Sequence, residues 1–255
     1  MATHVFRGGA LYLGEYDFSS LTKAFAFQTE AEAVDMTVIS STTRTAAGGL
    51  RSVTWNAELL YDATTYEGSL FGYASATGGS EAIITSYFPS GAAAEDEMAY
   101  FLRSRPGKFS LPWTLGEAAM MSISGNSGVL GGSRPTQSLV QGRLSARGAG
   151  VSATGNGTGR QMGALTSTKQ VMAMAGHVTA RTGTASVVFT LESDDNSGFT
   201  TPTTRATETS ISSIADFGLR MVSGPITDDY WRVKYTISGT GTLSFVASMG
   251  RIILQ

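Results

Sequence analysis

The feature that most limits what this chain can fold into is a period of two. In RSVTWNAELLY, Val53, Trp55, Ala57, Leu59 and Tyr61 alternate with Ser52, Thr54, Asn56 and Glu58. Successive side chains on a strand point to opposite faces, so this spacing makes one apolar and one polar face, the mark of a half-buried strand. ASVVFTLES repeats the pattern with Val187, Phe189 and Leu191. Near the end, DYWRVKYTI sets Trp231, Val233, Tyr235 and Ile237 against Tyr230, Arg232, Lys234 and Thr236. After SGTG, TLSFVASMG puts Leu243, Phe245, Ala247 and Met249 on one face. Two patterned strands about a short Gly-containing link predict a β-hairpin, with Trp231, Phe245 and Tyr235 in the core of the second half.

Helical signals are few. SGAAAEDEMAYFLRSRPGK offers Ser90 as an N-cap, acids in an early turn, Met98, Phe101 and Leu102 at helical spacing, and Arg103 and Arg105 before Pro106. It predicts one flanking helix, with a strand over Met98 to Arg103 as the rival reading. Ser19 to Ala24 carries a weaker signal for a second short helix. The 31 glycines and a charged fraction of 15% suit β structure with many turns. The expected fold class is mainly β.

The stretch from residue 124 to 164 is polar and Gly-rich, and glycine costs backbone entropy in any regular element. It reads as loops, a linker or an arm ordered on assembly. The boundary is placed near residue 137, giving a β domain over 1–137 and a Gly-rich connection with a second β region over 138–255. QSLVQGRLSARG reads as a short strand entering that second half.

Charge is unevenly placed. Residues 1–100 hold twelve acids and four bases, and residues 101–170 hold eight bases and one acid. Such segregation suits a protein whose acidic surface meets a basic surface of a neighbouring copy, because complementary potentials favour encounter and fix register. Arg134, Arg143, Arg147, Arg160 and Lys169 lack the interleaved aromatics of a single-strand-binding surface. Tight nucleic-acid binding is not expected.

Most catalytic and metal chemistries find no constellation here. The chain has no cysteine, which excludes disulfides, thiolate metal sites and cysteine nucleophiles. Gly155, Gly157 and Gly159 in GNGTGR lack the Lys-Ser/Thr ending of a phosphate-binding loop. His4 and His177 are isolated, so a catalytic histidine would have to be one of these two. ESDDNSG, Glu192 to Gly198, lacks the ligand spacing of a calcium loop and reads as a polar turn. In FQTEAEAVDMT, Glu30, Glu32 and Asp35 crowd together, but nothing local pushes two of them to different pKa values, as an acid–base pair requires. They read as surface charge. No metal and no cofactor is expected, and neither a signal peptide nor a transmembrane span.

Several segments together resemble the major tail tube proteins of long-tailed (siphovirus-type) bacteriophages. The first runs LYLGEYDFSSLTKAFAFQTEAEAVDMTVISSTTRTAAGGLRSVTWNAELLYDA, and the next is EAIITSYFPSGAAAEDEMAYFLRSRPGKFSLPWTLGEAAMMSISG. HVTARTGTASVVFTLESDDNSGFTTPTTRATETS and GPITDDYWRVKYTISGTGTLSFVASMGRI are similar to a companion β region found in a subset of that family. The resemblance implies a β-sandwich or barrel-like core with a flanking short helix, plus a second β-sandwich-like region. It also implies a non-enzymatic virion protein that assembles in the host cytoplasm into six-fold rings stacked as a tail tube, a conduit for DNA during ejection. The implied partners are further copies of the chain, other tail proteins such as tape measure and terminator, and genomic DNA that passes without specific binding; no membrane is implied. Glu30, Glu32, Asp35, Glu95, Asp96, Glu97, Arg143 and Arg147 are then the candidates for lumen or inter-subunit charges. The alternatives are a virion-surface β-sandwich that binds host carbohydrate or receptor through Tyr230, Tyr66 or Trp113, and a glycoside hydrolase using Glu30, Glu32 and Glu58.

Overall fold

The computed structural model describes residues 9–35, 46–61, 83–90, 93–112, 118–127 and 139–254. Among them the chain is all β. The strands are β1 (Ala10–Leu13), β2 (Tyr16–Asp17), β3 (Thr22–Asp35), β4 (Ala46–Leu60), β5 (Ile83–Phe88), β6 (Met98–Ser110), β7 (Met120–Asn126) and β8 (Val140–Val151). They continue as β9 (Gly155–Asn156), β10 (Arg160–Gln161), β11 (Gln170–Arg181), β12 (Ser186–Asp194), β13 (Thr203–Thr207), β14 (Ala215–Ser223), β15 (Tyr230–Ser238) and β16 (Leu243–Ile253). The chain packs into two units interleaved in sequence. One comprises Met1–Thr22, Ile83–Arg103 and Val140–Gln255, the other Lys23–Ala82 and Ser104–Leu139.

In the first unit a long sheet runs β14-β11-β16-β8-β6-β5-β1-β2, and a smaller one runs β10-β15-β12-β13 with β9 also on β15. Their facing sides form a sandwich. Met172, Met174, Phe217, Phe245 and Met249 come from the long sheet and Val187, Phe189, Leu191, Trp231 and Val233 from the small one, all in one buried cluster. Phe189 stacks on Phe217 at 4.4 Å and meets Phe245 edge-on at 5.1 Å, geometries that rings prefer. The long sheet has a second core on its other face, where Ala173, Ala175 and Val246 join Tyr12, Ile84, Phe88, Phe101 and Leu144. β11 is thus buried on both sides, which is why VMAMAGHV is nearly continuous in apolar residues rather than alternating. The sheet curls over this second core until the Ile84 N–H on β5 donates to the Asp216 carboxylate on β14.

The second unit holds β3 and β4 paired, β4 paired to β7, and the second half of β6 paired to β7. The alternation in β4 holds: Val53, Trp55, Ala57 and Leu59 are buried while Ser52, Thr54, Asn56 and Glu58 are exposed. The Trp55 indole N–H donates to the Ser104 hydroxyl at 2.7 Å.

Three expectations need correction. The two final strands exist, but they do not form a hairpin. β15 pairs with β12 in the small sheet and β16 pairs with β11 and β8 in the long one. SGTG carries the chain across the sandwich, so the apolar faces of β15 and β16 look at each other instead of lying side by side. Trp231 and Phe245 are buried, and Tyr235 packs on Phe245 at 4.8 Å.

The flanking helix is absent among the described residues. Met98–Ser110 is a strand, with Ala99, Phe101 and Leu102 buried. Pro106, which would break a helix, is accommodated where the β6–β7 register shifts between Pro106 and Lys108. Around Ser19 there is a turn leading into β3, not a second helix.

In the Gly-rich stretch the strand expected over QSLVQGRLSARG is present as β8, but it runs on to Val151 inside the long sheet, with Val140 and Leu144 fully buried, where loops or an arm were expected. Gly142 in that strand serves contact rather than looseness. A Cβ on Gly142 would lie 2.0 Å from the Met249 carbonyl oxygen on the adjoining strand, a space that only glycine leaves open.

Candidate functional site

Glu30 is exposed on β3 and accepts a hydrogen bond from the Gln28 side chain at 2.9 Å. Glu32 and Asp35 belong to the same strand, but their side chains lie outside the described residues. Glu58 is exposed on β4. Nothing in the described geometry brings these carboxylates together. Of the aromatic residues considered for glycan binding, Tyr230 is half-buried on β15, and Tyr66 and Trp113 fall outside the described residues.

The acids at 95–97 meet the basic residues of the same copy. Glu95 accepts the backbone N–H of Arg147 at 3.1 Å through one carboxylate oxygen and the Thr158 hydroxyl at 2.6 Å through the other. Arg143 Nη1 donates to the Asp96 carbonyl at 3.0 Å, and the Asp96 carboxylate pairs with Arg160. Glu97 turns back to accept the Ala94 N–H at 3.2 Å. Asp96 adopts a left-handed conformation (φ 73°), which an Asp tolerates better than most residues.

His177 is fully buried on β11. Its Nδ1 lies 2.5 Å from the Gly14 carbonyl oxygen and its Nε2 lies 2.7 Å from the Ser86 hydroxyl, while the ring stacks on Tyr12 at 5.4 Å. The carbonyl can only accept, so Nδ1 carries the proton and Nε2 accepts from Ser86. Burial pushes the imidazole pKa down to about 4, against the opposing pull of the Gly14 carbonyl and Asp17. A serine beside a histidine nitrogen is half of a nucleophilic device, but Ser86 is buried as well, and a carbonyl stands where a triad has its carboxylate. The arrangement pins β11, β5 and the turn after β1 to one another.

Glu208, Glu192 and Asp228 are tied into the sandwich by ion pairs. Glu208 takes both Arg220 Nε and Nη2 at 2.7 Å. Burial opposes its charge, yet these bonds and two from Thr209 hold its carboxyl below the ordinary value. Arg232 donates twice to Glu192, at 2.9 and 2.7 Å, and its guanidinium lies 4.3 Å from the centre of the Phe199 ring. Ser193 and Arg205 both donate to Asp228 at 2.7 Å and hold its carboxyl low despite partial burial. These partners are far apart in sequence, so only cross-strand register could have revealed them. Of the stretch expected to be a polar turn, only Asp195 to Gly198 is one: Glu192, Ser193 and Asp194 are the buried end of β12, where Asp194 accepts the backbone N–H groups of Asn196 and Thr201 at 3.2 and 2.9 Å. Among the described residues no three His, Asp or Glu side chains are placed to hold a metal ion, and no helix is long and apolar enough to cross a membrane.

No protein-family model and no curated protein matches this chain. Similar solved structures exist, however. One is a chain of the virion of a native gene transfer agent particle, 12% identical, with TM-score 0.41, covering 54% of this chain and 98% of its own. A second belongs to the sheath–tube complex of an extracellular contractile injection system in its extended state, 10% identical, with TM-score 0.43, covering 56% of this chain and 93% of its own. A third is the SPP1 Dit protein, described as a paradigm of the hub adsorption apparatus in phages infecting Gram-positive hosts. It is 7% identical, with TM-score 0.36, covering 96% of this chain and 99% of its own.

Proposed function

We propose that the chain is a structural, non-enzymatic subunit of a phage-type virion tail, one that associates with further copies of itself into stacked rings forming a tube. The observation that carries this reading is the length of β3 and β4, 14 and 15 residues, against the five or six of an ordinary strand. Between Lys23 and Glu30 every described side chain of β3 is exposed or half-buried, with Phe25 and Phe27 packed edge-on at 4.7 Å. A strand as long as β3 with so little buried on either face from Lys23 to Glu30 suits lateral contact with neighbouring subunits. The sequence resemblance to tail tube proteins points the same way, and these residues lie within it.

In a tube, Glu30, Glu32 and Asp35 belong either to the lumen or to a ring-to-ring contact. An acidic inner wall repels phosphates and lets DNA pass without being held, since retention would come from basic groups and counterion release. Negative-stain electron microscopy of the purified protein over a concentration series tests the reading. Rings or tubes are the expected result, and dispersed single subunits at every concentration would overturn it.

A further inference from the structure

The edge of β8 is closed in an unusual way. β6 pairs with β8 only from Val140 to Arg143, opposite Phe101 to Met98. On its other side β8 follows β16 as far as Val151. Beyond Arg143 the edge that β6 leaves is covered by single groups. Leu144 exchanges hydrogen bonds with the backbone of Asp96 and Glu97, at 2.7 and 2.9 Å, and the Ser145 carbonyl accepts the Thr158 N–H at 2.6 Å. The Arg147 N–H is taken not by a strand but by the Glu95 carboxylate. Among the described residues nothing pairs with this edge from Gly148 to Val151.

We propose that the turn Glu95–Glu97 is an edge guard, an autoinhibitory contact whose carboxylate at Glu95 stops the β8 edge of one copy from pairing with that of a second copy. A strand edge with free N–H and C=O groups is a template for another chain, and a charged side chain laid across it is a recognised way to close it. The excluded partner is a second copy, because the open edge from Arg147 to Val151 can pair with its own copy without setting like charges opposite one another. Antiparallel pairing about a two-fold at Ala149 would set each Arg147 opposite a Val151, so the arginines would not confront one another. The turn is well anchored for this task. Thr158 holds the second oxygen of Glu95, and Arg143 and Arg160 hold Asp96 in its left-handed conformation. The guard rests on the self-association reading only in supposing that unwanted pairing matters. Its test reads one edge and does not require tubes to form.

Because the chain has no cysteine, a single Ala149→Cys reports contact at that two-fold. Glu95→Ala, Glu95→Gln and the unchanged turn are compared in this background by light scattering and by disulfide cross-linking under mild oxidant, with circular dichroism to establish folding. The expected result is a several-fold rise in cross-linked dimer for Glu95→Ala and none for Glu95→Gln, whose amide oxygen still accepts from Arg147. Thr158→Val, which leaves the carboxylate in place but loosens it, is expected to fall between. Equal cross-linking in all variants, or association of Glu95→Ala without a disulfide at position 149, overturns the guard. Absence of tubes with the cross-linking pattern intact would overturn the tube reading alone.

Discussion

The Nε2 of His177 lies 2.7 Å from the Ser86 hydroxyl, on strands joined by no direct ladder among the described residues, and the ring's other nitrogen faces the Gly14 carbonyl. The folded state therefore holds this histidine neutral. Its pKa falls from the ordinary 6.5 to about 4, so between those values the unfolded chain binds more protons than the folded one. Stability from this group is complete above pH 6.5, declines as pH falls toward 4 and levels off below, for a total of up to about 3 kcal/mol. Urea titrations across that range are expected to show the slope, and His177→Gln to flatten it. An unchanged slope in that variant would mean that other groups set it.

Trp231→Ala is expected to destabilise by about 3–5 kcal/mol, the usual range for removing a buried large aromatic. The ring is fully buried and its N–H donates to the Gly163 carbonyl at 3.2 Å. Trp231→Phe keeps most of the packing and is expected to cost less. Denaturant midpoints separate the two, and equal midpoints for wild type and the alanine variant would contradict the packing.

Gly142→Ala is expected to cost about 1–3 kcal/mol or more through forced separation of β8 from β16, as overpacking does. Gly218→Ala, where an added Cβ meets nothing within 4 Å, is the control and is expected to be near neutral. Thermal melts of the pair decide it.

Arg220→Ala leaves the buried Glu208 carboxylate without its two strongest donors. A loss of about 2–3 kcal/mol is expected at neutral pH, below the range for a fully buried pair because Arg220 is partly exposed. The loss is expected to shrink as pH falls through the carboxylate range, since the folded pKa of Glu208 lies below its unfolded value and its contribution disappears once it is protonated. Arg220→Lys keeps the charge but cannot reproduce the two-pronged geometry, and is expected to recover only part of the stability. Denaturant titrations of both variants at neutral and acid pH check the sign and the order.

Most strands were legible from the chain, and which of them pair was not. The alternation of Trp231, Val233 and Tyr235 against Arg232 and Lys234 is the same whether β15 folds beside β16 or faces it, because both arrangements bury one side of each strand. Only the crossing distinguishes them. Thr184 and Thr240 bring their hydroxyls within 3.1 Å, and Thr182 and Thr242 theirs within 2.9 Å, contacts between two links that both cross the sandwich. The helix expected before Pro106 failed for a related reason. Ala99 and Phe101 satisfy a strand as well as a helix, and pairing with β8 settled the competition. The strand read over QSLVQGRLSARG is β8, but the close approach to β16 that requires glycine at 142 was not legible. Of the candidate charges, the bonding of Glu95, Asp96 and Arg143 within one copy depends on β6 and β8 being neighbours, which no local pattern announces.

The crossings have a consequence for time as well as for shape. Links 182–185 and 239–242 lie together at one end of the sandwich, bound through their backbones as well as their hydroxyls, while Leu165 and Ile226 bridge two further links, each partner distant in sequence. Neither sheet can peel away while these lacings hold, and none of them can form until remote segments have met. A topology so rich in pairings between remote segments folds slowly.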